Sequence, residues 1–360
     1  MNPPGTTHLQ CAYLPLDQFK IREGHWKNTM LGAVAFGSLS DVSGTPHVGA
    51  PFIPVAMPSL GSAGASIPTG EVWCAEGKLS YGELHGVRYG HNDDIVFGAI
   101  QLNESDFNSA SVREAGKTPL QQATETAYRS IFSLIDGLGF PHVMRFWNYM
   151  ADITGHSHDL ERYRQFNMGR QDGFLGSGRQ VTGGVVPAAS AVGFESGPLT
   201  VYFLAGRGTA PVAIENPRQV SAYDYPREYG PRSPTFSRAT MARLGGSDVL
   251  FLSGTASIVG HRTLHAGDVV AQVRETLANI AAMVAEANRV APTAGFTLGD
   301  LCYKVYVRHE KDVVAIHDEL RRALGDTARL MFLKADICRP DLLMEIEATA
   351  GHPIDFAVPA

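Results

Sequence analysis

Two acidic residues stand where a β-strand is expected, near the end of the sequence. In the segment DLLMEIEATAG (residues 341–351), alternation places Leu343, Glu345 and Glu347 on one face of the strand. Acidic residues are depleted in strands because they pack poorly on a half-buried pleated surface. Either this face of the sheet contacts water, or one of the two carboxylates belongs to a functional site.

A second set of residues that could bind a ligand lies between positions 207 and 243. Six arginines and three acidic residues, with no lysine, leave this segment at +3 in a chain of net charge −6. A guanidinium holds a carboxylate or phosphate with two hydrogen bonds, so the segment favours recognition of a small anion. The alternative is that the arginines tie the segment to acidic surfaces of neighbouring domains. The residues concerned are Arg207, Arg218, Arg227, Arg232, Arg238 and Arg243, interleaved with Tyr223, Tyr225 and Tyr229.

Other reactive residue types give weaker signals. The four cysteines are widely spaced and form no CxxC pair, which argues against a zinc ribbon or a thioredoxin-type site and suits a reducing cytoplasm. A lone buried cysteine usually serves packing, so residue type alone does not place Cys338 in a site. The tripeptide GHR (260–262) follows a predicted strand and is a plausible lip of a pocket.

Composition excludes several classes of protein. A chain of 360 residues with 44% hydrophobic and 18% charged residues predicts a folded protein of about two or three domains. The negative net charge argues against a general nucleic-acid binder, and no apolar run reaches the length of a membrane span. The first ten residues have neither the basic start nor the apolar core of a secretory signal. We therefore expect a cytoplasmic protein that binds neither nucleic acid nor membrane.

The C-terminal part shows the clearest periodicity. Its order of strand, helix, strand, helix, strand, strand predicts a mixed sheet with two helices on one face, an α/β fold. The predicted strands lie at 247–259, 301–307, 328–337 and 341–351, and the helices at 268–287 and 311–324.

The same order occurs upstream, which indicates a duplication. Aligning Ala205 with Ala348 places Tyr202 opposite Glu345, so the first copy carries no acid there. The predicted organisation is a scaffold unit at 91–206, an Arg/Tyr-rich connector at 207–244 and a catalytic unit at 245–360. Residues 1–90 are either a degenerate third unit or an extension that pairs with a neighbouring sheet.

The motifs FLSGTAS, AQVRETLANI, VYVRHEKD, ARLMFLKADI and MEIEATAG together resemble the Rid (YjgF-like) family of reactive-intermediate deaminases over about 110 C-terminal residues. In that family three such units form a trimer with sites at the interfaces. The resemblance implies that Arg329 and Glu345 stand at the family's arginine and glutamate positions.

The connector ENPRQVSAYDYPREYGPRSPTFSRAT, followed by FLSGTASIVGHR, is similar to the chorismatases, whose C-terminal domain is Rid-like. This resemblance covers most of residues 140–355. It implies a single-chain pseudo-trimer, acting as a monomer or weak oligomer, that takes chorismate as substrate and releases pyruvate. It implies Glu345 as the catalytic acid/base. Cys338 resembles members that yield hydroxybenzoates, whereas Ala256 resembles members that hydrolyse the enol ether, so the ring product stays open.

The implied chemistry suits these residues. Chorismate carries two carboxylates, for which we predict a clamp. Loss of the enolpyruvyl group requires protonation of the vinyl carbon, which one carboxylic acid of raised pKa can perform, so no metal and no cofactor are needed. The predicted catalytic residues are Glu345, Cys338 and Ala256, and the predicted clamp residues are Arg329, Arg232, Tyr225, Arg218 and Tyr229. The alternatives are hydrolysis to a dihydroxycyclohexadiene carboxylate, imine deamination, and non-catalytic binding of a small carboxylate.

Overall fold

A computed structural model describes residues 9–26, 28–42, 49–62, 64–108 and 116–358. Up to residue 206 the elements are β1 (Leu9–Pro15), α1 (Leu16–Trp26), β2 (Met30–Phe36), α2 (Leu39–Val42), β3 (Phe52–Val55), β4 (Ser59–Leu60), β5 (Thr69–Ala75), β6 (Ser80–Leu84), β7 (Val87–His91), β8 (Ile95–Leu102), α3 (Pro119–Leu138), β9 (His142–Ala151), β10 (His156–Ser157), β11 (Leu160–Glu161), α4 (Arg162–Gly176), β12 (Ala188–Phe194) and β13 (Leu199–Gly206). The remaining elements are β14 (Val212–Ile214), β15 (Ala239–Leu244), β16 (Ser247–Thr255), β17 (Ile258–Val259), β18 (Arg262–Thr263), α5 (Val269–Val290), β19 (Cys302–Val307), α6 (Val313–Leu324), β20 (Arg329–Lys334), β21 (Met344–Ala350) and β22 (Ile354–Phe356).

The strands form three large mixed sheets of one topology. The N-terminal sheet has the order β22-β1-β5-β2-β3, the middle sheet β12-β9-β13-β8-β7-β6, and the C-terminal sheet β14-β15-β16-β21-β19-β20-β4. Each sheet contains four strands with the same arrangement. Numbered in chain order, they lie side by side in the order first, fourth, second, third, and among these four only the second and third are parallel. The sets are β1, β2, β3 and β5, then β8, β9, β12 and β13, then β16, β19, β20 and β21. The predicted mixed α/β fold, with three similar units in one chain, is confirmed.

The hydrogen-bonded sheets do not follow the predicted boundaries between the units. Strands β6 and β7 extend the sheet of β8, so the middle sheet begins at residue 80 rather than 91. The units also exchange edge strands, because β4 pairs with β20 and β22 pairs with β1, and the connector supplies β14 and β15 to the C-terminal sheet. Within residues 9–75, strands β1, β2, β3 and β5 form most of the N-terminal sheet, whereas β4 pairs with the sheet of the C-terminal unit, so this segment has features of both expected alternatives. It also contains the 11-residue helix α1, which the sequence did not predict.

Each sheet packs one face inward and covers the other with helices. The inner faces share one apolar cluster, to which Trp73, Tyr202 and Phe251 contribute from the three sheets in turn. Helices α3 and α4 cover the outer face of the middle sheet, and α5 and α6 cover that of the C-terminal sheet. In the described ranges, no helix combines the length and the apolar character that crossing a membrane requires.

Strand pairing corrects the alignment between the two predicted repeats. When β8 and β16 are superposed on their Asp-Ile and Asp-Val dipeptides, the registers of β13 and β21 are offset by two residues from the predicted alignment. Tyr202 is therefore the counterpart of Glu347, and Thr200 is the counterpart of Glu345. The middle unit still carries no acid at the position of Glu345.

Four buried charges lie where the three sheets meet, and we call them the central cluster: Glu71, Arg145, Lys304 and Glu347. The Lys304 ammonium is 2.6 Å from Glu71 Oε2 and 2.9 Å from Glu347 Oε1, while Arg145 Nη2 is 2.8 Å from Glu347 Oε2. Burial alone would lower the pKa of Lys304, but the two carboxylates outweigh it and raise that pKa. The cluster is neutral as a whole, which makes its burial tolerable.

We expect Lys304→Met to lower the free energy of unfolding by about 3–5 kcal/mol, because it leaves two buried carboxylates without their shared cation. Urea denaturation followed by circular dichroism measures this loss. The matched control is Lys334→Met, which removes a lysine paired with Glu310 at 2.9 Å where both side chains are about half exposed. That change should cost about 1 kcal/mol or less. Equal losses in the two variants would contradict the assigned importance of the central cluster.

Candidate active site

A cavity of about 570 Å³ opens between the middle and C-terminal sheets, under the connector. Elements from both sheets and from the connector are needed to enclose it. The middle unit contributes Glu161, Tyr163, Arg164, Arg170, Ala189, Ser190 and Ala191, and the connector contributes Gln219, Tyr225, Tyr229, Pro234, Phe236 and Arg238. The C-terminal unit contributes Gly254, Ala256, Ile258, Arg262, Thr263, Cys338, Arg339, Pro340, Asp341 and Glu345.

Glu345 enters this cavity from β21 and is 95% buried, with a relative exposure of 5%. Strand β16 bulges opposite it, between Leu252 and Thr255, where a Cβ on Gly254 would lie 1.9 Å from Glu345 Oε1. Only glycine leaves room for the carboxyl at that point. Burial, reinforced by the nearby charge of Glu347, raises the pKa of Glu345 to about 8. At neutral pH this side chain is therefore mainly a neutral acid that can donate a proton.

Glu347, two residues along the same face, has the opposite character. Its Oε1 accepts from Trp147 Nε1 at 2.7 Å, and its Oε2 accepts from the hydroxyl of Tyr306 at 3.0 Å, besides the contacts with Lys304 and Arg145. Burial alone would raise its pKa, but these cations and hydrogen bonds bring it to about 2. Glu347 is a permanent anion of the interior and does not line the cavity.

Three cavity arginines hold buried donors that are not used within the described part of the chain. These are Nε and Nη2 of Arg170, Nε of Arg238 and Nη2 of Arg339. Arg170 is 1% exposed and packs against the rings of three aromatic residues, and its burial lowers its pKa. A guanidinium nevertheless remains charged in proteins. Because a buried donor without an acceptor is costly, these unused donors favour an anionic ligand.

Of the predicted clamp, the two tyrosines lie in the cavity. Tyr225 accepts a hydrogen bond from Arg238 Nη2 at 2.8 Å, and Arg339 stacks over Tyr229 at 4.3 Å from its ring centre. Both rings form part of the cavity wall on the connector side. The tripeptide GHR also contributes, because Arg262 lines the same cavity.

The three predicted clamp arginines lie elsewhere, and their assignment is corrected. Arg218 donates to Glu275 and Asn279 on α5, Arg232 pairs with Asp172 on α4, and Arg329 donates to the carbonyl of Asp300. None of them lines the cavity. For Arg218 and Arg232 the alternative interpretation holds, since they tie the connector to acidic residues of both units.

Cys338 and Ala256 both line the cavity with Glu345. Burial, together with the neighbouring charge of Glu345, raises the pKa of the Cys338 thiol to about 12. The thiol is therefore protonated at neutral pH and is not a thiolate nucleophile in the free protein.

Sequence reasoning missed Arg170 and Arg339 and did not single out Arg238 from the connector. One signal for Arg170 exists, because Gly169 and Gly173 flank it four residues apart. A Cβ on Gly169 would lie 2.2 Å from the Gln121 carbonyl oxygen, and one on Gly173 would lie 2.6 Å from the Cβ of Tyr128, so α4 packs tightly on α3. Such spacing marks a buried helix, and an arginine inside it is conspicuous. In the ranges that the structure describes, no three His, Cys, Asp or Glu side chains converge to hold a metal ion.

A buried neutral carboxylic acid beside several arginines defines a site for acid catalysis on an anionic small molecule. Residues 71–205 match the family model of the chorismatase FkbO/Hyg5-like N-terminal domain. The chain is 36% identical to a 3-hydroxybenzoate synthase of Streptomyces hygroscopicus over 88% of this chain and 90% of the relative. It is 39% identical to a chorismatase of Streptomyces rapamycinicus over 78% and 82% of the two chains. A chorismatase crystal structure superposes with a TM-score of 0.82 at 32% identity, covering 97% of this chain and all of that one.

The chain therefore belongs to the chorismatase family, and it is an enzyme.

We expect Gly254→Ala to destabilise the fold by about 1–3 kcal/mol, because the new methyl group overlaps the Glu345 carboxyl. In a Glu345→Ala background the same substitution should cost much less, since the obstacle has gone. Urea denaturation of the two single variants and the double variant gives the coupling free energy. Gly184→Ala is the control, because nothing lies within 4 Å of a Cβ there. Additive losses for Gly254→Ala and Glu345→Ala would show that the two residues do not touch.

Proposed function

We propose that this protein converts chorismate to pyruvate and a hydroxybenzoate, with Glu345 as the acid/base. The observation that carries the proposal is the set of unused arginine donors around a buried acid of raised pKa. Two relatives that cover most of the chain are named chorismatase and 3-hydroxybenzoate synthase, which supports the same substrate.

Charge complementarity between chorismate and the cavity supports substrate binding. Chorismate has two carboxylates, and Arg170, Arg238 and Arg339 offer buried donors on different walls of the cavity. An arginine fork matches a carboxylate in geometry as well as in charge. Tyr225 and Tyr229 close the connector side with aromatic surface and hydroxyl groups. The clamp that we propose thus keeps the two predicted tyrosines and replaces the three predicted arginines.

The neutral form of Glu345 at neutral pH supports a role as the catalytic acid. Cleavage of the enol ether begins with protonation of the terminal vinyl carbon, and a neutral carboxylic acid held in an apolar pocket can deliver that proton. The resulting cation next to the ether oxygen weakens the bond between that oxygen and the ring carbon. When this bond breaks, the ether oxygen leaves with the three-carbon unit as the ketone oxygen of pyruvate, and the ring keeps its own hydroxyl group. Glu345, now a carboxylate, can take a proton back from the ring when an aromatic product forms.

The ring product depends on what happens after the ether is cleaved. Hydroxybenzoate and pyruvate together contain the atoms of chorismate, whereas dihydroxycyclohexadiene carboxylate and pyruvate contain one water more. The resemblance of Cys338 to members that yield hydroxybenzoates supports an aromatic product, and the name of the Streptomyces hygroscopicus relative supports 3-hydroxybenzoate, with 4-hydroxybenzoate as the other aromatic outcome. Ala256 at the cavity wall favours the hydrolytic product, which stays the second candidate.

We further propose that a single chain is the functional unit, because two of its own sheets and its connector already enclose the cavity.

The four cysteines are all free thiols, which supports a reducing, cytoplasmic location.

Incubation with chorismate should release pyruvate, measured by coupled reduction with lactate dehydrogenase. Glu345→Gln should lower this rate about 10²–10⁴-fold without unfolding the protein, because glutamine cannot transfer the proton. The kcat/KM of the unaltered enzyme should be constant at neutral pH and fall as the pH rises through about 8, where Glu345 loses its proton. Absence of pyruvate would refute the substrate, and full activity of Glu345→Gln would refute the role of that residue.

The roles of Cys338 and Ala256 are tested by product analysis. We expect Cys338→Ala to change the ratio of ring products, resolved by liquid chromatography, more than it changes the rate of pyruvate release. Ala256→Gly should shift the ratio toward hydroxybenzoate. Cys302→Ala is the control, because this thiol is buried outside the cavity, whereas the partly buried Cys338 lines it. An unchanged product ratio in Cys338→Ala would leave that thiol with a packing role only.

A further inference from the structure

The acid at the cavity and the anion of the central cluster both lie close to one small side chain, Ser190. Ser190 Oγ lies 3.3 Å from the point where a Cβ on Gly254 would stand, and Glu345 Oε1 lies 1.9 Å from the same point. The same Ser190 hydroxyl donates to Glu347 Oε2 at 2.5 Å. Ser190 therefore contacts Glu347 and lies near the Glu345 carboxyl, and all three side chains are buried in a region from which water is largely excluded.

Glu347 is bound to Arg145 on β9, and this ion pair presents two opposite charges to Glu345. Both side chains are buried, at 5% and 1% exposure, and neither lines the cavity, so neither is positioned to touch a substrate. Arg145 Nη1 is also buried and makes no hydrogen bond in the described part of the chain. In a medium of low dielectric constant such charges act on Glu345 with little screening.

We propose that the buried Arg145–Glu347 ion pair consists of two positioning residues that set the protonation state of Glu345 from behind the cavity wall. This inference rests on the proposed function, because it assigns Glu345 the role of acid. The Glu347 anion favours the neutral form of Glu345, and the Arg145 cation favours the ionised form. The proton affinity of the acid is the difference between these two effects, added to burial.

Other charged and titratable groups also face Glu345. They come from α4, the end of the connector, β19 and the segment before β21, and they are Tyr163, Arg170, Arg238, Tyr306, Cys338 and Arg339. Arg238, like Arg145, lowers the pKa of Glu345. Among the charges with the largest effect on Glu345, Glu347 is the only anion that raises its pKa.

The test titrates the Glu345 carboxyl directly, in protein without substrate. The protein is labelled with glutamate carrying ¹³C at the side-chain carboxyl, and the Glu345 resonance is assigned as the signal that Glu345→Gln removes. In the unaltered protein this resonance should titrate near pH 8. Glu347→Gln should move its midpoint down by about 1 pH unit or more, and Arg145→Gln should move it up.

Matched variants separate charge from structure. Glu347→Asp keeps the anion and should leave the midpoint near pH 8, whereas a merely structural role would make it behave like Glu347→Gln. Tyr306→Phe removes one hydrogen bond to Glu347 without changing a charge, and it should also leave the midpoint in place. If Glu347→Gln alone fails to fold, the double variant Glu347→Gln/Lys304→Met removes one anion and one cation together, and the midpoint should still fall.

The outcomes are decisive in both directions. Opposite displacements in Glu347→Gln and Arg145→Gln, with the same order in the pH profile of pyruvate release, support the inference. A midpoint that stays in place in both variants, or moves the same way in both, overturns it. Loss of pyruvate release from the unaltered enzyme would instead refute the proposed function, and the carboxyl titration would still decide the electrostatic question.

Discussion

The ammonium group of Lys304 lies between Glu71 and Glu347 and joins the N-terminal sheet to the C-terminal sheet, and the Arg145–Glu347 ion pair joins the middle sheet to them. Glu71 belongs to the N-terminal sheet, whereas Lys304 and Glu347 belong to the C-terminal sheet, and Arg145 adds the middle sheet through its pair with Glu347. Apolar side chains surround these charges and would tolerate small relative shifts of the sheets. Buried charges do not, because a shift that separates one pair leaves an unpaired ion in a medium of low dielectric constant. We interpret the central cluster as the element that fixes how the three units meet.

The same arrangement gives two neighbouring glutamates opposite properties. Glu347 is surrounded by cations and hydrogen-bond donors and is held ionised. Glu345 lies in the cavity beside the bulge of β16, where Gly254 leaves room for its carboxyl, and burial and the anion of Glu347 keep it neutral. Pairs of carboxyl groups whose environments separate their pKa values are a common way to obtain an acid at neutral pH. Here one strand carries both the acid and the charge that keeps it protonated.

Much of the fold was accessible from the sequence. The two helices of the C-terminal unit begin and end within about three residues of their predicted positions, because an amphipathic helix shows its period locally. The duplication was recognised, but its alignment was two residues off, since a shift of two keeps every side chain on the same face and conserves the hydrophobic pattern. Only the hydrogen-bond register shows that Tyr202 corresponds to Glu347. Helix α1 was not predicted because its polar residues give no clear apolar stripe.

The sequence by itself determined the types and order of the elements, the strand that carries the acids, and an arginine-rich connector beside it. The residue types left Glu345 and Glu347 equivalent, and only the family resemblance singled out Glu345, whereas the tertiary structure places Glu345 in the cavity and decides which arginines remain available there. Arg218 and Arg232 are satisfied by acids 57 and 60 positions away along the chain, whereas Arg170 comes to the site from a helix of another unit. Periodicity is a property of adjacent residues, and it can be read locally. The charge state and availability of a buried side chain depend on partners such as Arg145 and Glu347, which are 202 positions apart and meet only when the sheets pack.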